Sequence, residues 1–142
     1  KNSVVRSIAE GKKALKEIRN FHEGEVWCVF GCGGNRDKEK RHIMGEIAEN
    51  YSDHVIITDD NPRNEASSKI INDILEGTTK STNIKTISNR KEAIKFTLGE
   101  MAKRKNMNIM LLAGKGHENY QIIGSEKIKF DDKETLITLG RN

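Results

Sequence analysis

The chain has 142 residues, with 25 basic and 21 acidic side chains and a net charge of +4, a size that buries one continuous core without disulfide or metal staples. Its charges are spread along the whole length, its densest basic stretches ("KEKRH", "KRK") are short or broken by acids, and it has only seven aromatics (one Trp, two Tyr, four Phe). A solvated lysine-rich surface is therefore expected, and a nucleic-acid binder is disfavoured. No apolar run approaches the roughly 18 residues needed to cross a bilayer. Cys28 and Cys32 in "WCVFGC" match neither C-x-x-C nor a zinc-ligand spacing, and no second Cys/His pair follows. They read as buried thiols of a cytoplasmic protein with no metal site and no membrane contact.

The opening Lys1-Asn2-Ser3 is neither an initiator methionine nor a signal sequence, as expected of a fragment or a processed product. From residue 7 to 20, "SIAEGKKALKEIRN" sets Ile8, Leu15 and Ile18 near one helical face, which predicts an amphipathic helix. "EVWCVFGC" is an apolar run closed by glycine, as in a strand buried on both faces of a parallel sheet. Ile43, Met44, Ile47, Ala48 and Tyr51 then recur at helical spacing, "HVIITDD" follows as a strand, and Ile70, Ile71, Ile74 and Leu75 mark a third helix with Gly77 placed as its C-terminal cap. "NIKTIS" predicts a strand, "NRKEAIKFTLGEMAKRK" a helix and "MNIMLLAG" another buried strand. The rhythm then changes to a hairpin about Gly124 and Ser125 and a last helix with Asp131 and Glu134 at capping-box spacing. This is one α/β domain over residues 1–142: a Rossmann-like open, mostly parallel sheet with helices on both faces and a C-terminal hairpin.

Sheets of this kind bind ligands where their strands end at the carboxyl side. That rule selects "GCGGNRDKEKR", "TDDNPRNE" and "AGKGHENY". "FGCGGN" lacks the third glycine of a dinucleotide fingerprint, and "AGKGHE" lacks the length and hydroxyl of a P-loop, so no phosphate cradle is complete. In "TDDNPR", Pro62 pushes Asn61 out of the helical region and suits the first turn of a helix. Arg63 can grip a carboxylate with two hydrogen bonds, Asn61 can donate and accept, and Asp59 or Asp60 can receive an ammonium. The plainer alternative has Asp60 capping the next helix and Arg63 solvated. Gly114 lets the backbone approach a ligand and Glu118 offers a partner for an amine, whereas a lone loop histidine such as His117 is more often a strut than a base. Arg36 and Arg41 offer further carboxylate contacts, unless "RDKEKR" is simply a solvated helix start. Arginines and an amide for carboxylates, with a glutamate for an amine, suit a zwitterionic amino acid.

The blocks "VFGCGGNRDKEKRHIMGEIAE", "VIITDDNPRNE", "IINDILEG" and "LLAGKGHENYQ" together resemble the C-terminal domain of the Mur ligases, in consistent order from residue 12 to about residue 135, and within them the diaminopimelate-adding kind. The resemblance implies a cytoplasmic ligase of peptidoglycan synthesis, dependent on ATP and Mg2+. It would join meso-diaminopimelate to UDP-N-acetylmuramoyl-L-Ala-D-Glu through an acyl phosphate. It also implies a UDP-sugar domain and a central ATPase domain that this chain does not contain, with ATP and Mg2+ bound mainly outside it. The family's D-N-P-R motif falls on Asp60, Asn61, Pro62 and Arg63, its G-G-x-R-D arginine on Arg36, and the glycine and glutamate of G-K-G-H-E on Gly114 and Glu118; all resemble meso-diaminopimelate contacts, with no catalytic residue among them. Ligases of this kind that add L-lysine generally lack the D-N-P-R arginine. The family's D-Y-A-H-T-P-D entry segment is not matched by "KNSVVRSIAEG", so no ATP contact is carried over to it. An L-lysine-adding ligase and a non-catalytic amino-acid or protein binding module of the same fold stand as alternatives.

Overall fold

Three apolar runs, residues 26–30, 55–57 and 109–112, lie side by side with every side chain buried, the arrangement expected where helices cover both faces of a parallel sheet. The computed structural model describes residues 2–7, 11–35, 38–105, 107–113, 120–123 and 126–129. Its elements run β1 (Asn2–Ser7), α1 (Gly11–Phe21), β2 (Glu25–Phe30), α2 (Glu39–Tyr51), β3 (His54–Ile57), α3 (Ser67–Leu75), β4 (Ile84–Thr86), α4 (Arg90–Ala102), β5 (Asn108–Ala113), β6 (Tyr120–Ile123) and β7 (Glu126–Lys129). The first five strands form one parallel sheet ordered β1-β5-β2-β3-β4, and β6 pairs antiparallel with β7.

Alternation along the strands sorts the core into two halves. Val26, Cys28, Phe30, Val55 and Ile57 pack with Leu15 and Ile18 of α1, Ala48 of α2 and Ile70 and Ile74 of α3. Trp27, Val29, Ile56, Met110 and Leu112 pack with Ala93, Ile94 and Met101 of α4 on the other face. Strict alternation across a sheet covered on both sides makes any one-residue slip exchange the two halves of the core, so the register is strongly specified. At the amino end of the sheet Trp27 donates its indole N–H to Asn108 Oδ1 at 3.0 Å. Its ring stacks on His54 with centroids 3.8 Å apart, and the Arg104 guanidinium lies 5.0 Å from its centre.

The predicted strands, the hairpin strands and the first four predicted helices are present, with three corrections. Ser7 belongs to an edge strand rather than to the first helix, because residues 2–7 ladder with β5 in register from Asn2↔Asn108 to Ser7↔Ala113. Gly77 follows α3 without a left-handed backbone; a β-carbon there would lie 1.7 Å from the His42 carbonyl oxygen, so close packing against α2 demands the glycine. Pro62 does not open a helix: α3 begins at Ser67, after Ala66 as its N-cap. Ile8, the hairpin turn at Gly124 and Ser125, and the predicted helix from Asp131 lie outside the described residues.

Candidate functional site

The sheet order makes β2 the centre, with β5 on one side and β3 on the other, so the chain reverses its direction of travel between β2 and β5, where open α/β sheets hold their ligands. The loops after β2, β3 and β5 all leave from this carboxyl edge. Arg36, Gly114 and Glu118, like His117, lie outside the described residues; Asp60, Asn61, Pro62 and Arg63 lie within them.

The loop after β2 is spent on holding the loop after β3. The Gly34 N–H donates to the Asn61 carbonyl at 2.7 Å, and the Asn35 N–H donates to Glu65 Oε1 at 2.8 Å. A β-carbon on Gly31 would sit 2.2 Å from the Thr58 oxygen, and one on Gly34 would sit 1.7 Å from the Pro62 oxygen. Gly31 and Gly34 of "GCGGN" therefore serve close approach between two loops. A phosphate cradle needs backbone N–H groups that point at the ligand, and those of Gly34 and Asn35 are already engaged. Those two amides are therefore not free to face a phosphate, and no cluster of three His, Cys, Asp or Glu side chains suited to a metal occurs among the described residues.

"TDDNPR" is a turn with a constrained arginine at its tip. The Glu65 N–H closes it on the Pro62 carbonyl at 3.0 Å, and Arg63 takes φ 53, a left-handed conformation that no helix could accommodate. Asn61 and Pro62 are buried and Asp60 is half-buried. Arg63 Nη1 donates to the Gly34 carbonyl at 3.1 Å and to the Asn61 carbonyl at 3.3 Å, so its guanidinium is held to the loop rather than simply solvated. Asp60 does not cap α3; it is Asp59 that reaches the helix, accepting from Ser67 Oγ at 2.9 Å. Burial raises the Asp59 carboxyl above its ordinary range, opposed by that Ser67 bond and the nearby Arg90 charge.

Two buried arginines brace the turn, and neither role was readable from residue type alone. Arg41 is 1% exposed. It donates to both Glu65 oxygens at 3.0 and 2.9 Å, to Asp73 Oδ2 at 2.8 Å and to the Gly33 carbonyl at 3.0 Å. It is thus consumed inside the protein and is not a carboxylate contact for a ligand, nor part of a solvated helix start. Its hydrogen bonds, with that from Asn35, hold the Glu65 carboxyl at about 2, and the same guanidinium lowers Asp73. Arg90 opens α4 behind its N-cap Asn89 and donates to the Asp59 carbonyl at 3.0 Å and the Ala113 carbonyl at 3.1 Å. Glu65 escaped the sequence reading for lack of a motif, although it directly follows "TDDNPRN".

Comparison with known proteins fits this geometry. Residues 7–116 match the family model described as "Mur ligase, glutamate ligase domain". The chain is 51% identical over 125 residues to the UDP-N-acetylmuramoyl-L-alanyl-D-glutamate–2,6-diaminopimelate ligase of Rickettsia bellii, covering 87% of this chain and 26% of that protein. It is 52% identical over 125 residues to a ligase of the same name from Clostridium acetobutylicum, covering 88% of this chain and 25% of that protein. A solved structure of a UDP-N-acetylmuramoyl-L-alanyl-D-glutamate–2,6-diaminopimelate ligase superposes with a TM-score of 0.87 at 35% identity, over 97% of this chain and 29% of that one. The chain thus spans about a quarter of the length of the curated relatives it matches. A match over residues 7–116, with relatives at about half identity, makes the chain a member of the Mur ligase family, carrying its glutamate ligase domain.

Proposed function

We propose that this chain is the amino-acid-presenting C-terminal domain of a cytoplasmic ligase, dependent on ATP and Mg2+, that adds meso-diaminopimelate to UDP-N-acetylmuramoyl-L-Ala-D-Glu in peptidoglycan synthesis. The observation that carries this reading is Arg63, fixed at the tip of a turn on the carboxyl edge by the carbonyls of Gly34 and Asn61, beside a glycine loop whose Gly34 and Asn35 amides are already engaged. Such a turn offers a cation to a carboxylate. An L-lysine-adding enzyme would present a side chain with no distal carboxylate for that cation to meet.

In this reading Arg63 and Asn61 hold the distal end of the diamino acid, Arg36 adds a second cation for a carboxylate, and Gly114 and Glu118 receive the backbone side and an ammonium. Asp60 and Pro62 shape the turn. The domain binds and orients the attacking amine, and phosphoryl transfer and amide formation take place on the ATPase and UDP-sugar domains of the same protein. When bound there, ATP supplies the phosphoryl group that activates the dipeptide carboxylate.

The test is to incubate the isolated chain with ATP, UDP-dipeptide and meso-diaminopimelate, in parallel with the full-length protein. Amide product and phosphate release are expected from the full-length protein alone. Robust turnover by the isolated chain would overturn this division of labour.

A further inference from the structure

Arg90 makes a connection that the sheet itself does not supply. β3 and β5 are not neighbours, because β2 lies between them, and two strands flanking a third are about 10 Å apart. The parallel ladders tie β2 to β3 as far as Phe30↔Ile57 and β2 to β5 as far as Val29↔Leu112. The carbonyls that Arg90 takes, those of Asp59 and Ala113, lie just beyond those last pairs. One is immediately followed by Asp60 and Asn61, the other by Gly114.

The chemistry of the side chain matters here. A guanidinium carries N–H groups in a rigid planar fork, so one residue can reach two acceptors on opposite sides of β2, whereas an ammonium is a single point with no such span. Burying a cation is costly unless it is hydrogen-bonded, and Arg90 is 1% exposed. Core packing on this face is already supplied by Ala93, Ile94 and Met101 of the same helix, so an apolar residue at position 90 would serve the core as well. What the arginine adds is a fixed distance between the departures of two loops.

We propose that Arg90 is a positioning residue for the amino acid, setting the separation between the Asp60–Arg63 turn and the carboxyl end of β5 at Ala113. This rests on the reading above that those two segments frame meso-diaminopimelate. Arg90 donates to the main chain at the root of each loop, its charge lies near the Asp59 carboxylate, and it acts on the ligand through these segments. Its loss should therefore appear in amino-acid affinity before it appears in anything else.

The test is steady-state kinetics of the full-length protein bearing Arg90→Met, Arg90→Lys or Arg63→Ala. A misplacement of about 1 Å in a binding frame is enough to cost about 10- to 100-fold, so both Arg90 variants should raise the KM for meso-diaminopimelate by about that factor. The KM values for ATP and UDP-dipeptide should stay within about twofold. Lysine at position 90 should fail to restore the amino-acid KM. If Arg90→Met does not fold, the KM split of Arg90→Lys decides alone. An unchanged amino-acid KM, or all three KM values rising together, overturns the inference while Arg63→Ala still reports on the reading beneath it. A wild-type protein that does not use meso-diaminopimelate overturns both.

Discussion

Arg41 meets Glu65 edge to edge, with Nη1 donating to Oε2 at 3.0 Å and Nη2 to Oε1 at 2.9 Å, and the same guanidinium reaches the Gly33 carbonyl. One side chain on α2 thereby joins the loop after β2 to the turn that bears Arg63. Removing one partner of a buried ion pair typically costs about 3–5 kcal/mol, because the other charge is left uncompensated. Arg41→Met should therefore lower stability by about 3 kcal/mol in urea denaturation. Arg41→Lys should recover little of it, since a single ammonium cannot replace four geometrically fixed hydrogen bonds. A loss under about 1 kcal/mol for both variants would show that the network is dispensable.

The acid dependence of stability follows from the same pair. The Glu65 carboxyl is held at about 2 against an ordinary 4.5, first by Arg41 and then by the Asn35 amide. A group whose pKa falls on folding contributes stability that is fully present above its unfolded value and lost as pH drops through its folded value. Stability should therefore decline between about pH 4.5 and about pH 2, with Asp73 adding in the same sense. Glu65→Gln should be less stable at neutral pH and show a shallower acid decline, read from denaturation midpoints at several pH values. An unaltered slope would remove Glu65 as the cause.

For the ligand, Arg63→Ala in the full-length protein removes a charge-assisted contact worth on the order of 1.5–3 kcal/mol. The KM for meso-diaminopimelate should rise by about 10- to 100-fold with ATP affinity preserved. Arg63→Asn separates conformation from charge: asparagine tolerates the left-handed backbone at φ 53 but carries no cation, so it should fold like wild type and bind like alanine. Full binding by Arg63→Asn would count against a carboxylate grip.

Glycine substitutions give a paired comparison. At Gly34 a β-carbon would meet the Pro62 oxygen at 1.7 Å, so Gly34→Ala should force the two loops apart at a cost of about 1–3 kcal/mol and weaken amino-acid binding as well. At Gly99, within α4, nothing lies within 4 Å of the same atom. Gly99→Ala should stabilise by about 0.5–1 kcal/mol through helix propensity. Thermal melts of the two variants should move in opposite directions.

The cysteines should be slow to react. Burial pushes the Cys28 thiol up to about 12 and the Cys32 thiol up to about 11, and only the thiolate is nucleophilic. Cys28 is buried as expected but Cys32 is only half-buried, so labelling by a disulfide reagent at neutral pH should be slower at Cys28 than at Cys32 and fast at both in urea; rapid native labelling of Cys28 would contradict its burial.

Much of this architecture was legible because a parallel sheet covered on both faces writes itself as continuous apolar runs, and β2, β3 and β5 are such runs. β1 was not, since "NSVVRS" offers only two valines and its place is fixed by a ladder to a strand some hundred residues away in the chain. The turn at Asp60–Arg63 was legible as a place, from its position after a strand, but not as a conformation. Proline before arginine reads equally as helix start or turn, and the φ of 53 is imposed by the partner loop. Least legible were Arg41 and Arg90. A charged residue on a helix is read as solvated by default, and nothing in "KEKRH" or "SNRKEA" announces that these two guanidinia point inward to carboxylates and carbonyls.

The stack of Trp27 on His54 gives the domain a built-in spectroscopic division. Trp27 is the sole indole in the chain and sits at the amino end of β2, roughly 10 Å of strand away from the carboxyl edge. Its emission reports on unfolding and on the integrity of the stack with His54, while an amino acid captured at the opposite edge should leave it dark to the event. In the isolated chain, fluorescence can therefore follow the integrity of a site variant without being confounded by occupancy, and affinity must be read by calorimetry.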